Sequence, residues 1–312
     1  MNYETLYNSI QAYAENTEQL FVANIPVFVQ EAEDRVYNSV QIPSLRKNVT
    51  GTLTAGNQYI SLPDDWLSNF SLAVIDSTNR YNYLLNKDVN YLREAYPSVV
   101  YNSPTYQGTP GGVPAYYALF GSQLSNVNEM TLMVAPTPDA NYAVEMHYYY
   151  YPPTIVQGQI ATFGTLIAGS LYTNGVYQNV ALTGGSGANA TADIVIVGGA
   201  VTSCTLKFGG NFYVAGDILS CSSLGSTGSG FSITVASVSN SKGTSWLGDN
   251  YDPVLFYGAM REAIIFMKGE QDMVAYYEKM YQDAIQQLNR LGTGLERGDA
   301  YRNGQAKIRV NP

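Results

Sequence analysis

The sequence predicts an α+β protein. Its expected parts are a helical bundle of N-terminal helices plus a C-terminal helical hairpin, a mostly antiparallel sheet, and an inserted all-β domain. Three observations carry this reading. Apolar residues recur at helical spacing over 252–291, the period drops to two from Leu45, and residues 158–240 are glycine-rich and nearly uncharged.

The C-terminal hairpin is the clearest element. Asp252-Pro253 reads as an N-cap followed by proline at the first helical position, where its missing N–H costs nothing. Val254 to Met267 is apolar on most sides, so other elements must cover it. Gly269 is expected to end that helix. A second helix runs from Glu270 to about Leu291, with Val274, Tyr277, Tyr281, Ile285, Leu288 and Leu291 on one stripe. At about 1.5 Å per residue the two are roughly 24 and 33 Å long. The short turn predicts an antiparallel pair at the centre of the core.

At the N-terminus, Thr5 to Glu15 reads as a short helix with Leu6, Ile10 and Tyr13 on one face. A stronger helix begins at Ile25-Pro26 and carries Val29, Ala32, Val36 and Tyr37. From Leu45 the alternation predicts one hairpin of 45–54 with 57–62 and another of 70–76 with 81–85. Trp66 is a candidate core anchor. Asp88 caps a brief helix that Pro97 stops. A loop dense in Gly and Pro at 103–114 precedes strands at 115–120, 129–135 and 143–151.

The composition breaks at Tyr151-Pro152-Pro153. Residues 158–240 hold fifteen of the 29 glycines but only three charged residues, Asp193, Lys207 and Asp217. Strand-like runs at 175–182, 190–197, 201–208, 217–220 and 231–238 alternate with Gly184-Gly185-Ser186-Gly187, Gly198-Gly199 and Gly209-Gly210, expected as hairpin turns. This predicts a β-sandwich-like module, 158–240, inserted in a discontinuous α+β core of 1–156 and 246–292. Gly292-Thr293-Gly294 is expected to end the last helix, leaving 293–312 as an extended basic tail.

Charge is unevenly spread. The total is −9, but from Arg290 onward five basic residues face two acids, so the tail is +3 and the body −12. An acidic body disfavours non-specific embrace of nucleic acid. There are 27 Tyr against 10 Phe and only 13% charged residues, a balance that favours extensive subunit contacts over an isolated surface. No apolar run is long enough for a transmembrane helix, and the start lacks a secretory signal, so no membrane anchor is expected. Cys204 and Cys221, with no nearby histidine, read as reduced structural cysteines.

No catalytic constellation emerges, and no cofactor or metal is expected. His147, the one histidine, sits in a strand-like run with no marked partner. Gly184-Gly185-Ser186-Gly187 lacks the Gly-Lys-Ser/Thr ending of a phosphate loop. Asp64-Asp65 and the Asp249/Asp252 pair match no calcium-loop pattern, so turn and cap roles are expected. Paired acids for sugar hydrolysis leave no spacing signature, which keeps a glycan-processing enzyme as an alternative.

The order of parts resembles tailed-phage head-to-tail adaptor proteins. The likeness covers about 1–156 and 246–291. It rests on Leu62-Pro63-Asp64-Asp65-Trp66, on Trp246-Leu247 followed by the 251–259 run, and on the 276–285 run. In the insert, the 177–185 run and Tyr213-Val214-Ala215-Gly216-Asp217 resemble a Gly-rich module of phage virion proteins. The resemblance implies a non-enzymatic virion protein of the neck, assembled in the host cytoplasm. It implies a ring, usually of twelve subunits, between a portal protein and a tail or nozzle protein, with DNA passing through without sequence-specific binding. The C-terminal tail would then dock on the portal through Arg297, Tyr301, Arg302, Lys307 and Arg309. Phe256, Tyr257, Tyr276 and Tyr277 are candidate inter-subunit contacts. The alternative is a tail or baseplate protein whose β-module contacts host glycan.

Overall fold

The computed structural model describes residues 1–97, 111–121, 130–224 and 228–302. The chain divides into two compact units, Met1–Gln41 with Pro153–Pro312, and Ile42–Pro152. By packing, the helices and the glycine-rich strands fall in one unit, and the mixed α/β segment forms the other.

The first unit opens with α1 (Tyr3–Ala14), whose N-cap Asn2 accepts from Thr5 N at 3.0 Å. Helix α2 spans Gln19–Ser39, so it begins well before Ile25-Pro26 and carries Pro26 inside it. An interior proline costs about 3 kcal/mol. Burial of Phe21, Ile25 and Phe28 on the same helix offsets it, at roughly 1.5–3 kcal/mol each.

In the second unit, strands β1 (Arg46–Leu53), β2 (Tyr59–Ser61), β3 (Trp66–Ile75), β4 (Tyr81–Tyr83) and β5 (Leu85–Asn86) lead to α3 (Val89–Ala95). Strands β6 (Tyr116–Gly121), β7 (Thr131–Ala135) and β8 (Tyr142–Tyr150) follow. Two four-stranded sheets form, in the orders β1-β8-β3-β4 and β2-β7-β6-β5; only β5 and β6 pair in parallel among the described strands. The β3–β4 hairpin is present, and Asp88 caps α3 through Asn90 N at 2.8 Å. The expected 45–54/57–62 hairpin is not: β1 pairs with β8, and β2 with β7. The turn between them crosses from sheet to sheet, tied to the β7–β8 connection by Gly56 N to Pro138 O (2.8 Å) and Ala55 N to Asn141 Oδ1 (2.9 Å).

Leu53, Leu72, Val74, Leu132, Val144 and Met146 form the core of this unit, with Trp66 half-buried beside it. Strand β7 is buried on both faces, since Met133 and Ala135 pack with Leu92 of α3 in a second cluster. Asp65 accepts from Tyr148 Oη at 2.8 Å and pairs with Lys47, and these bonds hold its carboxyl below its usual range against the opposing effect of burial. The 103–114 loop falls largely outside the described residues.

Back in the first unit, β9 (Gln159–Ser170), β10 (Gly175–Ala181), β11 (Ala188–Val197), β12 (Ala200–Asn211), β13 (Ile218–Leu219) and β14 (Ser229–Ser239) make two three-stranded sheets, β10-β11-β12 and β13-β14-β9. Ile160, Ile194, Ile196, Phe231, Ile233 and Val235 share one core. Strand β9 has no counterpart in the sequence reading. Its register against β14 shifts three times, and those irregularities break the alternation. Gly198 and Gly199 both have positive φ between paired Val197 and Ala200, the geometry of a two-residue hairpin.

Gly209-Gly210, expected as a turn, lies inside β12 instead. A Cβ on Gly209 would sit 2.7 Å from Ile160 O, so these glycines permit close backbone approach. Asp217 accepts from Ser186 Oγ (2.7 Å) and Val214 N (2.9 Å), fastening the 184–187 loop.

The unit closes with α4 (Trp246–Asn250), α5 (Asp252–Phe266) and α6 (Gln271–Arg302). Its helices and strands interlock: the Tyr3 and Phe212 rings lie 5.3 Å apart, and Asn211 Nδ2 donates to Tyr3 Oη at 3.2 Å. Glu33, 2% exposed on α2, accepts from Thr154 Oγ1 (2.6 Å) and Ile155 N (2.8 Å), on the segment leading into β9.

Burial pushes the Glu33 carboxyl up to about 7 from 4.5, even against those two hydrogen bonds. A raised carboxyl means the fold holds the proton, so this stabilisation is complete below pH 4.5 and is lost as pH rises through 7. The loss is at most about 3 kcal/mol. Glu33→Gln keeps an acceptor for Ile155 and has no proton to release. Its denaturant stability is expected to gain on the wild type between pH 4.5 and 7.5; parallel profiles would contradict the assignment.

Candidate functional site

Helix α5 explains how the helical surface is arranged. Val254, Leu255, Gly258, Ala259, Met260, Glu262, Ala263 and Ile264 are all buried, as its nearly all-round apolar sequence requires. Helix α2 crosses it closely at Gly258, where a Cβ would sit 2.8 Å from Ala32 Cβ. The charged pair in α5 is matched by its neighbours. Glu262 meets Arg35 of α2 at 2.8 Å and Arg261 at 2.6 Å, and Arg261 also pairs with Glu278 of α6. The N-cap differs by one residue from expectation, since Tyr251 caps and Asp252 is already helical.

Helix α6 packs on α5 and buries Tyr277, Tyr281, Ala284, Ile285 and Leu288. It does not stop at Gly292-Thr293-Gly294 but runs on to Arg302. Each helical glycine costs about 1 kcal/mol relative to alanine, too little to break a helix whose flanking residues (Leu291, Leu295, Glu296, Arg297) favour it. Thr293 Oγ1 donates back to Asn289 O at 2.9 Å within the helix. The extended tail expected from residue 293 is therefore helical to 302. Arg297, Tyr301 and Arg302 lie on its last turns, while Lys307 and Arg309 lie outside the described residues.

The four expected contact residues come together. Phe256 and Tyr257 have ring centroids 5.5 Å apart, Tyr276 and Tyr277 5.4 Å, each pair edge to face. Tyr13 of α1 completes the group, 5.0 Å from Phe256 and also edge to face. Burial, followed by the neighbouring Tyr276, Tyr13 and Tyr257, raises the Tyr277 phenol. Their exposure differs. Tyr277 is buried, Phe256 and Tyr257 are half-buried, and Tyr276 and Tyr13 are 54% and 65% exposed. A cleft of about 270 Å³ between Tyr13, Ser9, Pro253, Phe256 and Tyr257 adjoins the cluster.

Sequence reasoning placed Tyr13 on the buried face of its helix. Its position near the end of α1 lets it lean over Phe256 while staying in solvent, a tertiary fact with no local signal.

The other candidate chemistries resolve into structure. His147 lies in β8 with Nε2 3.1 Å from Glu145 Oε1, and Glu145 also accepts from Asn48 Nδ2 (2.8 Å) and Tyr81 Oη (3.0 Å). No cluster of three or more His, Cys, Asp or Glu suited to a metal occurs among the described residues. Both cysteines are free and half-buried; burial, with Cys221 nearby, pushes the Cys204 thiol up to about 11, which leaves it inert as a thiolate. No described helix is long and apolar enough to cross a membrane.

A family model described as SU10 adaptor protein matches residues 1–183. That span takes in α1, α2, the whole Ile42–Pro152 unit and strands β9 and β10. The aromatic residues of α5 and α6 lie beyond it. No curated protein sequence matches the chain. With more than half of its length matched, the chain belongs to the SU10 adaptor protein family, phage structural adaptors.

Proposed function

We propose that the protein assembles as a closed ring, twelve subunits in number, between the portal and the tail or nozzle protein of a phage particle. DNA passes through its channel without sequence-specific contact. The family match over residues 1–183 carries this reading. The uncovered Tyr13/Tyr276 surface supplies a surface for subunit contact, of the aromatic kind that association favours. The acidic body suits a channel that must not grip phosphate. At its end α6, about 48 Å long for 32 residues, carries Arg297, Tyr301 and Arg302 toward the portal, with Lys307 and Arg309 beyond.

A second reading draws on a different feature. Between α2 and the β10–β11 side of the strand region lies an uncharged groove of about 690 Å³ with Gln19, Asn24, Asn179, Asn189, Thr191 and Phe208 along it. Amides and an aromatic ring suit a neutral glycan. Binding of envelope polysaccharide by the isolated protein, lost in Asn189→Ala, would favour a receptor-contact role.

The two tyrosines of α6 separate folding from assembly. Tyr277→Ala removes a buried ring and is expected to cost about 3–5 kcal/mol in unfolding experiments. Tyr276→Ala is expected to stay within about 0.5 kcal/mol of wild type yet reduce ring formation on the portal, counted in electron micrographs. Unchanged ring counts would remove Tyr276 from the interface. Deleting residues 295–312 is expected to abolish portal binding in a pull-down while leaving the melting temperature nearly unchanged. Undiminished binding would rule out portal docking by this segment.

A further inference from the structure

The aromatic cluster occupies one flank of α6; the opposite flank bears a groove with no role so far. Gln282 follows Tyr276 by six positions, about 240° round the helix at 100° per residue. Buried Tyr277, Tyr281 and Leu288 lie between the two directions and face the core. On the far side α2 and α6 border an open cleft of about 430 Å³, with Asp34, Arg35, Asn38, Ser39, Tyr281, Gln282 and Ile285 along it. Arg35 is engaged with Glu262 at 2.8 Å, yet its side chain is 43% exposed. A guanidinium hydrogen-bonds through its edge, so the ion pair leaves its flat face available for stacking.

We infer that this groove seats the aromatic flank of a second copy of the chain, with Tyr276 of one subunit resting on Arg35 between Asn38 and Gln282 of the next. The inference rests on the ring reading above and specifies which two surfaces meet. Two unlike patches on opposite flanks of one helix make a head-to-tail contact, the kind that builds a ring when its rotation closes. The aromatic flank pairing with itself would stop at two subunits and leave both grooves empty. The chemistry is also complementary. Tyr276 presents a π-face and a hydroxyl, and the groove presents the half-exposed Arg35 guanidinium and two amides, with the Asp34 carboxylate as a further acceptor for the hydroxyl.

Disulfide trapping in rings assembled on the portal tests this. In a Cys204→Ser, Cys221→Ser chain, Tyr276→Cys combined with Gln282→Cys is expected to give, in the reduced number of rings that form without the Tyr276 side chain, a ladder of covalent oligomers up to ring size after mild oxidation and denaturation. Tyr276→Cys with Asn38→Cys is a second, independent pair, and all three positions are exposed. Tyr276→Cys alone is expected to run as a single chain. Dimers from that single variant would show self-pairing and overturn the proposal. Rings seen in micrographs without a ladder from either pair would overturn this pairing while the ring reading stands. If the unsubstituted chain formed no ring on the portal, the ring reading would fall and the pairing with it.

Discussion

The first unit is organised by the burial of α5. A helix that is apolar nearly all round cannot lie on a surface, so α1, α2 and α6 are obliged to gather on it. Gly258 sets the distance of closest approach on the α2 side. The two charges that α5 carries in its second half are then exposed to the low dielectric between helices, where an unpaired ion is costly. Arg35, Arg261, Glu262 and Glu278 answer that cost with one ion-pair network drawn from three helices. What remains outside is what α5 does not need: the Tyr13 and Tyr276 flank on one side and the Arg35 groove on the other.

The tyrosine content has more than one cause. Tyr148 ends on Asp65, Tyr3 on Asn211, and Tyr149 lies under the Arg46 guanidinium, whose Nη2 donates to its hydroxyl at 2.6 Å. These are buried rings whose polar ends find partners inside the fold, the arrangement that lets a protein with few charges still satisfy its interior. Only part of the tyrosine excess is therefore available at the surface, and Tyr13 and Tyr276 belong to that part.

Local patterns were legible and long-range choices were not. Asp88 as a cap, the 77–80 turn, the stripe of α6 and the apolar character of α5 all follow from residues within a few positions of one another. The partner of β1 does not, because an exposed strand such as 46–53 pairs equally well in principle with its chain neighbour or with a segment a hundred residues on. Glycine was ambiguous in a physical sense. Gly198-Gly199 uses its positive φ to turn, Gly209 uses its missing side chain to admit Ile160, and Gly294 does neither. In the candidate site, the two helices that carry Phe256, Tyr257, Tyr276 and Tyr277 were legible from spacing, while the choice of these four as contacts came from the adaptor resemblance. Which of them reaches solvent depends on where α1 lies, and that is fixed by Tyr3 and Ile10 packing far from the hairpin in sequence.

The glycines near the end of α6 also give the helix an adjustable length. Residues 293–302 span about 15 Å as helix but about 33 Å when drawn out. Gly292 and Gly294 make the helical form of that segment the cheapest part of α6 to give up. In the ring proposed above, unwinding these turns one at a time would change the reach of each subunit, while the packed portion up to Leu288 stays in place. The same two residues that fail to end the helix make its final turns the least costly to unwind.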